Sequence, residues 1–205
     1  MGKASRRKQG RILAPARPAE RHSIAASTLT LPTKFLQNYG PGFLLAPGPL
    51  FVAQWWFPAS VAQMRAAAGH KLPPPKRGAV LLDTGADKTC ISLKAAQDLG
   101  LKPTRMQPGF GAGGQHVNPV FLAAFELHIT DDKTGLATAI GWEQEVAAIP
   151  NMDAHTRVHY GTEDLELVGL LGRDFLRYCR FVYDGPNGTI EFEVDLAAVK
   201  IHPSR

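Results

Sequence analysis

The chain has 205 residues with 23 basic and 18 acidic side chains, a formal net charge of +5 and only two cysteines. That length holds one domain of ordinary size plus an appendage, and two thiols exclude a disulfide framework. The charge is local: residues 1–22 carry seven cations (Lys3, Arg6, Arg7, Lys8, Arg11, Arg17, Arg21) against Glu20, leaving 16 basic and 17 acidic residues elsewhere, so the basic balance describes a tail.

Residues 1–45 read as a basic, disordered tail and linker, and residues 46–200 as the folded domain. Such a tail is either simply solvated or a surface for nucleic acid or anionic lipid. Ile12-Leu13-Ala14 is too short for the apolar core of a secretory signal, and Pro15 and Pro18 follow at once. Gly2 is placed for myristoylation, but Arg6 stands where Ser or Thr is needed. No charge occurs between Lys34 and Arg65, yet Pro41, Pro47, Pro49 and Pro58 divide this run into pieces shorter than the ~20 apolar residues of a spanning helix. The expectation is a chain with no membrane span, located in the cytoplasm. Cys90 and Cys179 then read as small buried hydrophobes.

The first strand of the domain is expected over Leu50 to Phe57, between Pro49 and Pro58. Ser60-Val61-Ala62-Gln63 has capping-box spacing and predicts a helix through Met64 to Gly69. Pro73-Pro74-Pro75 is a stiff connector to an apolar strand over Gly78 to Asp83, and a short helix from about Ser92 to Leu99 stops at Gly100. Val117 to Thr130 and Ala137 to Ala148 alternate as strands around the polar turn Asp131 to Gly135. Pro150 to Asp164 lacks a period and reads as a loop. A strand over Leu165 to Leu171, a brief helix over Arg173 to Arg177, and a hairpin of Cys179–Tyr183 with Thr189–Val194 around Asp184 to Gly188 complete the chain. Asn187-Gly188-Thr189 matches a glycosylation triplet but is read as part of that turn. The pattern is all-β with short helices, which suits a small closed barrel.

Two stretches carry chemistry. Ala79-Val80-Leu81-Leu82-Asp83-Thr84-Gly85-Ala86-Asp87 places a carboxylate, a hydroxyl and a glycine where a buried strand breaks into a turn. Burial-driven folding avoids an acid there unless hydrogen bonds or a second, proton-sharing carboxylate offset the desolvation. In Val168-Gly169-Leu170-Leu171-Gly172-Arg173-Asp174-Phe175-Leu176 a second apolar run is followed by Gly-Arg-Asp. The ordered pair resembles the two halves of a retropepsin, the single-domain aspartic protease type, and is closest to the bacterial relatives of retroviral proteases, over roughly Pro49 to Val194.

The resemblance implies a homodimeric, acid-protease closed barrel that hydrolyses peptide bonds. One Asp-Thr-Gly triplet supplies one carboxylate, whereas the chemistry needs two, so the site would lie on a two-fold axis. Asp83 would be the catalytic carboxylate, Thr84 would lock the paired loops, and Gly85 would let a peptide pass close to the backbone. Ala86 and Asp87 would hold the substrate main chain, Arg173 would pair with Asp87 through its planar fork, and Gly172 and Asp174 would support the loop. Gly109-Phe110-Gly111-Ala112-Gly113-Gly114 satisfies a dinucleotide fingerprint, but Pro108 precedes it where a strand is needed, and no helix follows. By resemblance Gly111, Ala112, Gly113 and Gly114 are the tip of a flap over the substrate.

His155 and His159 lack the Glu and the helix of a zinc protease. No metal and no cofactor are implied. Asp131-Asp132 and Glu163-Asp164 read as solvated surface. The rival reading is a catalytically silent dimerisation or peptide-binding module of the same fold, tethered to nucleic acid by its tail.

Overall fold

A computed structural model describes residues 34–40, 42, 44, 48–111, 114–135, 137–150, 152, 157–160 and 163–195. The elements in chain order are β1 (Lys34–Asn38), β2 (Leu50–Trp56), α1 (Ala59–Ala67), β3 (Lys76–Leu82), β4 (Cys90–Ser92), α2 (Leu93–Asp98), β5 (Pro103–Gly111), β6 (Gly114–Thr130), β7 (Ala137–Ile149), β8 (Arg157–Tyr160), β9 (Glu163–Leu171), α3 (Arg173–Leu176), β10 (Cys179–Asp184) and β11 (Thr189–Val194).

The strands close on themselves. Following the hydrogen-bonded ladders, β2 pairs β3, then β9, β4, β7 and β6, and β6 returns to β2, which makes a six-stranded barrel. Closure removes the exposed edges that an open sheet of this apolar content would present. Two pairs in the ring, β3 with β9 and β4 with β7, are parallel; the other four are antiparallel.

β6 explains how a hairpin leaves this ring. One edge pairs with β7 over Val120 to Thr130. Its other edge pairs with β2 over Ala124 to His128 but with β5 over Gly114 to Phe121. The first part of a strand 17 residues long therefore projects from the barrel with only β5 beside it.

The interior is aromatic and aliphatic. Trp55 of β2 packs on Phe125 of β6 (ring centroids 4.8 Å apart), and Phe175 of α3 meets both Phe125 and Trp142 edge-on. Phe175 is completely buried, so α3 is held to the barrel end by a side chain whose burial is worth roughly 1.5–3 kcal/mol. A separate antiparallel sheet, in the order β1-β11-β10, packs on the barrel through Phe192 of β11 against Phe51 of β2.

Several expectations need correction. The folded part takes in β1, because Lys34–Asn38 pairs with Thr189–Glu193 of β11; these residues lie upstream of the expected boundary at 45 and 46. Residues 1–33 lie outside the described residues, and so does the basic-tail reading of residues 1–22. α1 begins at Ala59 with Pro58 as its cap residue and no side-chain capping bond, so the capping box does not form; Glu143 of β7 accepts the Ala59 N–H instead (2.9 Å). The expected loop over Pro150 to Asp164 contains β8, an antiparallel partner of β9.

Asp131 is not solvated surface. It is 6 % exposed and accepts from the Leu36 N–H, the Thr134 N–H and the Thr134 hydroxyl, each at 2.7 Å. Asp132 accepts from the Asn38 N–H (2.6 Å). These two acids latch β1 onto the β6–β7 turn. Charge and strand length gave no hint of it, because a buried turn carboxylate looks like an exposed one in sequence.

Elsewhere the reading and the structure agree. α2 forms where a short helix is expected, and the Ser92 hydroxyl caps it by accepting from the Ala95 N–H. The β6–β7 and β10–β11 hairpins form around their expected turns. Among the described residues no helix is long and apolar enough to cross a membrane.

Candidate active site

β3 and β9 are parallel neighbours in register, Leu82 beside Leu171. Both therefore end at the same rim of the barrel, and the segments that follow, Asp83 onward and Gly172 onward, emerge side by side. Parallel pairing joins segments that lie far apart in the chain; here it unites the two motifs of the sequence.

The joining is dense. The Leu171 carbonyl accepts the Asp83 N–H (3.0 Å), and the Ala86 carbonyl accepts the Arg173 N–H (2.9 Å). One guanidinium nitrogen of Arg173 donates to the carbonyls of Thr84 (2.9 Å) and Gly85 (3.0 Å). Asp174 Oδ1 accepts from the Thr89 N–H and the Thr89 hydroxyl, both at 2.8 Å, and from the Phe175 N–H at 2.9 Å. The same Thr89 hydroxyl takes the Gly172 N–H (3.2 Å). Thr89 is fully buried, so these bonds answer for a polar group with no access to water.

Gly172 is obligatory here. A Cβ added to it would stand 2.4 Å from the Lys88 carbonyl carbon and 2.8 Å from the Thr89 nitrogen. The two segments pack backbone against backbone, which no side chain at 172 permits.

Within the loop, Asp83 Oδ1 accepts from the Gly85 N–H (2.8 Å) and the Ala86 N–H (3.2 Å). Gly85 serves this bond: a Cβ there would sit 3.0 Å from Asp83 Oδ1. Among the described residues Asp83 Oδ2 accepts nothing. Asp83 and Ala86 are half-buried, and Thr84, Gly85 and Asp87 are exposed. A fixed carboxylate with one free oxygen thus faces outward from the end of a buried strand.

The expected Arg173–Asp87 pair is replaced. The guanidinium of Arg173 binds the loop's carbonyls, so it braces the Asp-Thr-Gly turn directly. Cys90, at the start of β4, lies in the field of Asp174, Asp87 and Asp83. Burial first, and then those three carboxylates, push its thiol up to about 12. It stays protonated near neutrality and is no nucleophile. Cys179 is likewise pushed up to about 12 by burial.

The expected flap coincides with the projecting β5–β6 hairpin, in which Gly111 pairs with Gly114 across the tip. Ala112 and Gly113 lie outside the described residues. Met106 (57 %) and Val117 (63 %) are among the exposed large apolar side chains. The dinucleotide match falls on the end of β5 and the start of β6, not on a strand leading into a helix. His155 lies outside the described residues.

Thr89 is the site residue that sequence reasoning missed. A lone Thr before Cys90-Ile91 carries no signal, and its role exists only because Asp174 arrives from another strand. A groove lined by Trp56, Phe57, Ala62, Leu72 and Trp142 runs between α1 and the β6–β7 hairpin and does not include Asp83.

No family model matches the chain. No curated protein matches it either.

Proposed function

We propose that the chain is one subunit of a homodimeric aspartic endopeptidase of the retropepsin-like type, working on peptide or protein substrates without a cofactor. The observation that carries the reading is the Asp83 carboxylate, anchored through Oδ1 by two backbone N–H groups and, among the described residues, without a partner at Oδ2, on a loop braced by Gly172, Arg173 and Asp174. Catalytic carboxylates need this kind of fixed geometry, because an acid that reorients during the reaction loses its advantage over solvent.

In the proposed dimer the two Asp83 side chains meet across a two-fold axis. Carboxylates about 3 Å apart share one proton, the known behaviour of aspartic-protease dyads. The ionised member takes a proton from water as the water's oxygen attacks the scissile carbonyl. The protonated member donates to the carbonyl oxygen, giving a tetrahedral diol. The dyad then gives its proton to the amide nitrogen while a diol hydroxyl returns a proton to the other carboxylate, so the C–N bond breaks to give a carboxylic acid and an amine and the dyad again holds one proton. Gly85 keeps the strand's end open to an extended peptide, and the exposed β5–β6 hairpin supplies the cover.

The test is a peptide-library digest with wild type and Asp83→Asn side by side. An asparagine still accepts the Gly85 N–H through its Oδ1, so the fold survives, while the dyad loses its ionisable group. Cleavage by wild type and a fall of about 10²–10⁴-fold or more in the variant is the expected result. Equal activity removes Asp83 from the mechanism, and no cleavage by either leaves the silent binding module. Activity peaks on the acid side of neutrality, where the pair holds one proton; a rate still rising at about pH 9 contradicts the dyad.

A further inference from the structure

We infer that the groove between α1 and the outer face of β2, β6 and β7 is a docking site for a lysine- or arginine-bearing segment of a partner polypeptide. The site does not include Asp83 and stands whether or not the chain cleaves peptides.

Strand register assembles the floor. On β6, Ala124, Glu126 and His128 share one face by alternation, and opposite them on β7 stand Glu143, Gly141 and Ala139. β2 adds Trp56, the register partner of Ala124. All of these line the groove. Gly141 and Ala139 leave the β7 side low, so an occupant can lie close to the sheet.

α1 is the facing wall. Ala59, Ala62 and Ala66 recur at helical spacing and line the groove, yet α1 has no buried residue. A helix this short is marginal in water unless one face is packed, so this wall gains from being covered. The space between wall and floor is about 950 Å³, near the top of the roughly 300–1,000 Å³ of ligand sites.

Charge and ring surface select the occupant. The indole N–H groups of Trp56 and Trp142 are already given to the Pro73 carbonyl (3.1 Å) and to Gln144 (2.8 Å), so both side chains offer ring surface to the groove. Glu126 and Glu143 are diagonal neighbours on the floor, and no lysine or arginine is among the residues that line it. Glu143 Oε1 accepts from the Ala59 N–H, and among the described residues its Oε2 accepts nothing. His128, the imidazole 3.7 Å from Glu126, is neutral above about pH 7. An alkyl stem laid along the tryptophans with a cationic head at the carboxylates answers both features, because lysine and arginine bury their stems and keep the charge at polar groups. A second copy of the folded part is a poorer match: outside residues 1–22 the chain has 16 basic against 17 acidic residues and brings no basic excess.

The probe is a blocked octapeptide of alternating leucine and lysine, with its leucine–glutamate counterpart as control, titrated at about pH 7.5 into the full chain carrying Asp83→Asn, so that cleavage does not interfere. Calorimetry and tryptophan fluorescence read the binding. The lysine peptide is expected to bind, more weakly as salt is raised, and the glutamate peptide is not. Glu126→Gln with Glu143→Gln is expected to raise Kd about tenfold; the second substitution keeps an acceptor for the Ala59 N–H. Ala139→Arg, which sets a cation on the floor, is expected to abolish binding, and if it lowers the melting temperature the carboxylate pair decides alone. No binding of the lysine peptide, or equal binding by the parent chain and the carboxylate variant, overturns the site. Binding that tightens when the seven cations of residues 1–22 are replaced by glutamine gives the groove to the chain's own tail, and a dimer that comes apart in Ala139→Arg gives it to a second copy; either result overturns the partner assignment.

Discussion

The loop at Asp83 and the β5–β6 hairpin at Gly111 and Gly114 both carry glycine at a strand end, and the chain builds them in opposite ways. Residues 83–89 are tied to the 171–174 segment by backbone, guanidinium, carboxylate and hydroxyl bonds around a buried Thr89. The β5–β6 hairpin has its own ladder, with exposed side chains from Lys102 to Met106 and from Gly114 to Val117. Local opening is easiest where buried contacts are few. Hydrogen-bonded bracing is thus concentrated around Asp83 and sparse at the hairpin, which in the proposed enzyme would aim the carboxylate and leave room for a substrate.

Gly172→Ala is the strongest way to break this contrast. The new methyl meets backbone atoms at 2.4 Å, and overpacking of that kind costs typically about 1–3 kcal/mol. Thermal unfolding should shift down, and activity should fall further than stability because the Asp83 loop moves with Lys88 and Thr89. An unchanged melting temperature would mean the two segments are not in close contact.

Arg173→Ala comes next, at about 1 kcal/mol for lost charge-assisted bonds at an exposed site. Arg173→Lys should recover little activity, since a point charge does not reproduce the placement of the guanidinium over the Thr84 and Gly85 carbonyls. Full recovery by Lys would reduce the residue to its charge.

The Cys90 thiol reports on the same loop from within. With its thiol held near 12 in the folded state and about 8.5 in an open chain, modification at pH 8 has to wait for opening. Gly172→Ala should accelerate labelling of Cys90, and substitutions in the hairpin should not. Mass mapping separates it from Cys179. Equal labelling rates in all variants would contradict a selectively braced loop.

The smallest effect on stability is expected from Met106→Ser with Val117→Ser, within about 0.5 kcal/mol because both side chains are already exposed. If the hairpin covers the substrate, the same pair raises KM for a peptide. A large loss of stability would show that the hairpin is part of the packed body.

A last measurement concerns the β1 latch. The Leu36 N–H, and after it the Thr134 hydroxyl, hold the Asp131 carboxyl below its ordinary value. A depressed folded-state value means stability that is present above the ordinary carboxylate pKa of about 3.9 and is lost as pH falls through the lower, folded value. Asp131→Asn should flatten that acid limb of the melting curve. An identical limb would locate the acid sensitivity elsewhere.

Local pattern was sufficient for much of the chain. The alternation of Val117 to Thr130, the turn residues of Asp184 to Gly188, the Gly100 stop of the short helix and the apolar runs before Asp83 and Gly172 each act within a few residues, where backbone sterics and side-chain period decide. The two motifs could therefore be found, and their order along the chain counted. Closure of six strands, the parallel contact of β3 with β9, the pairing of β1 and β8, and the burial of Asp131 and Thr89 depend on segments far apart in sequence. The Arg173 side chain shows the difference most plainly: its type announced a carboxylate partner, expected to be Asp87, and only the folded chain chose the carbonyls of Thr84 and Gly85, because parallel strands brought those within reach of its guanidinium.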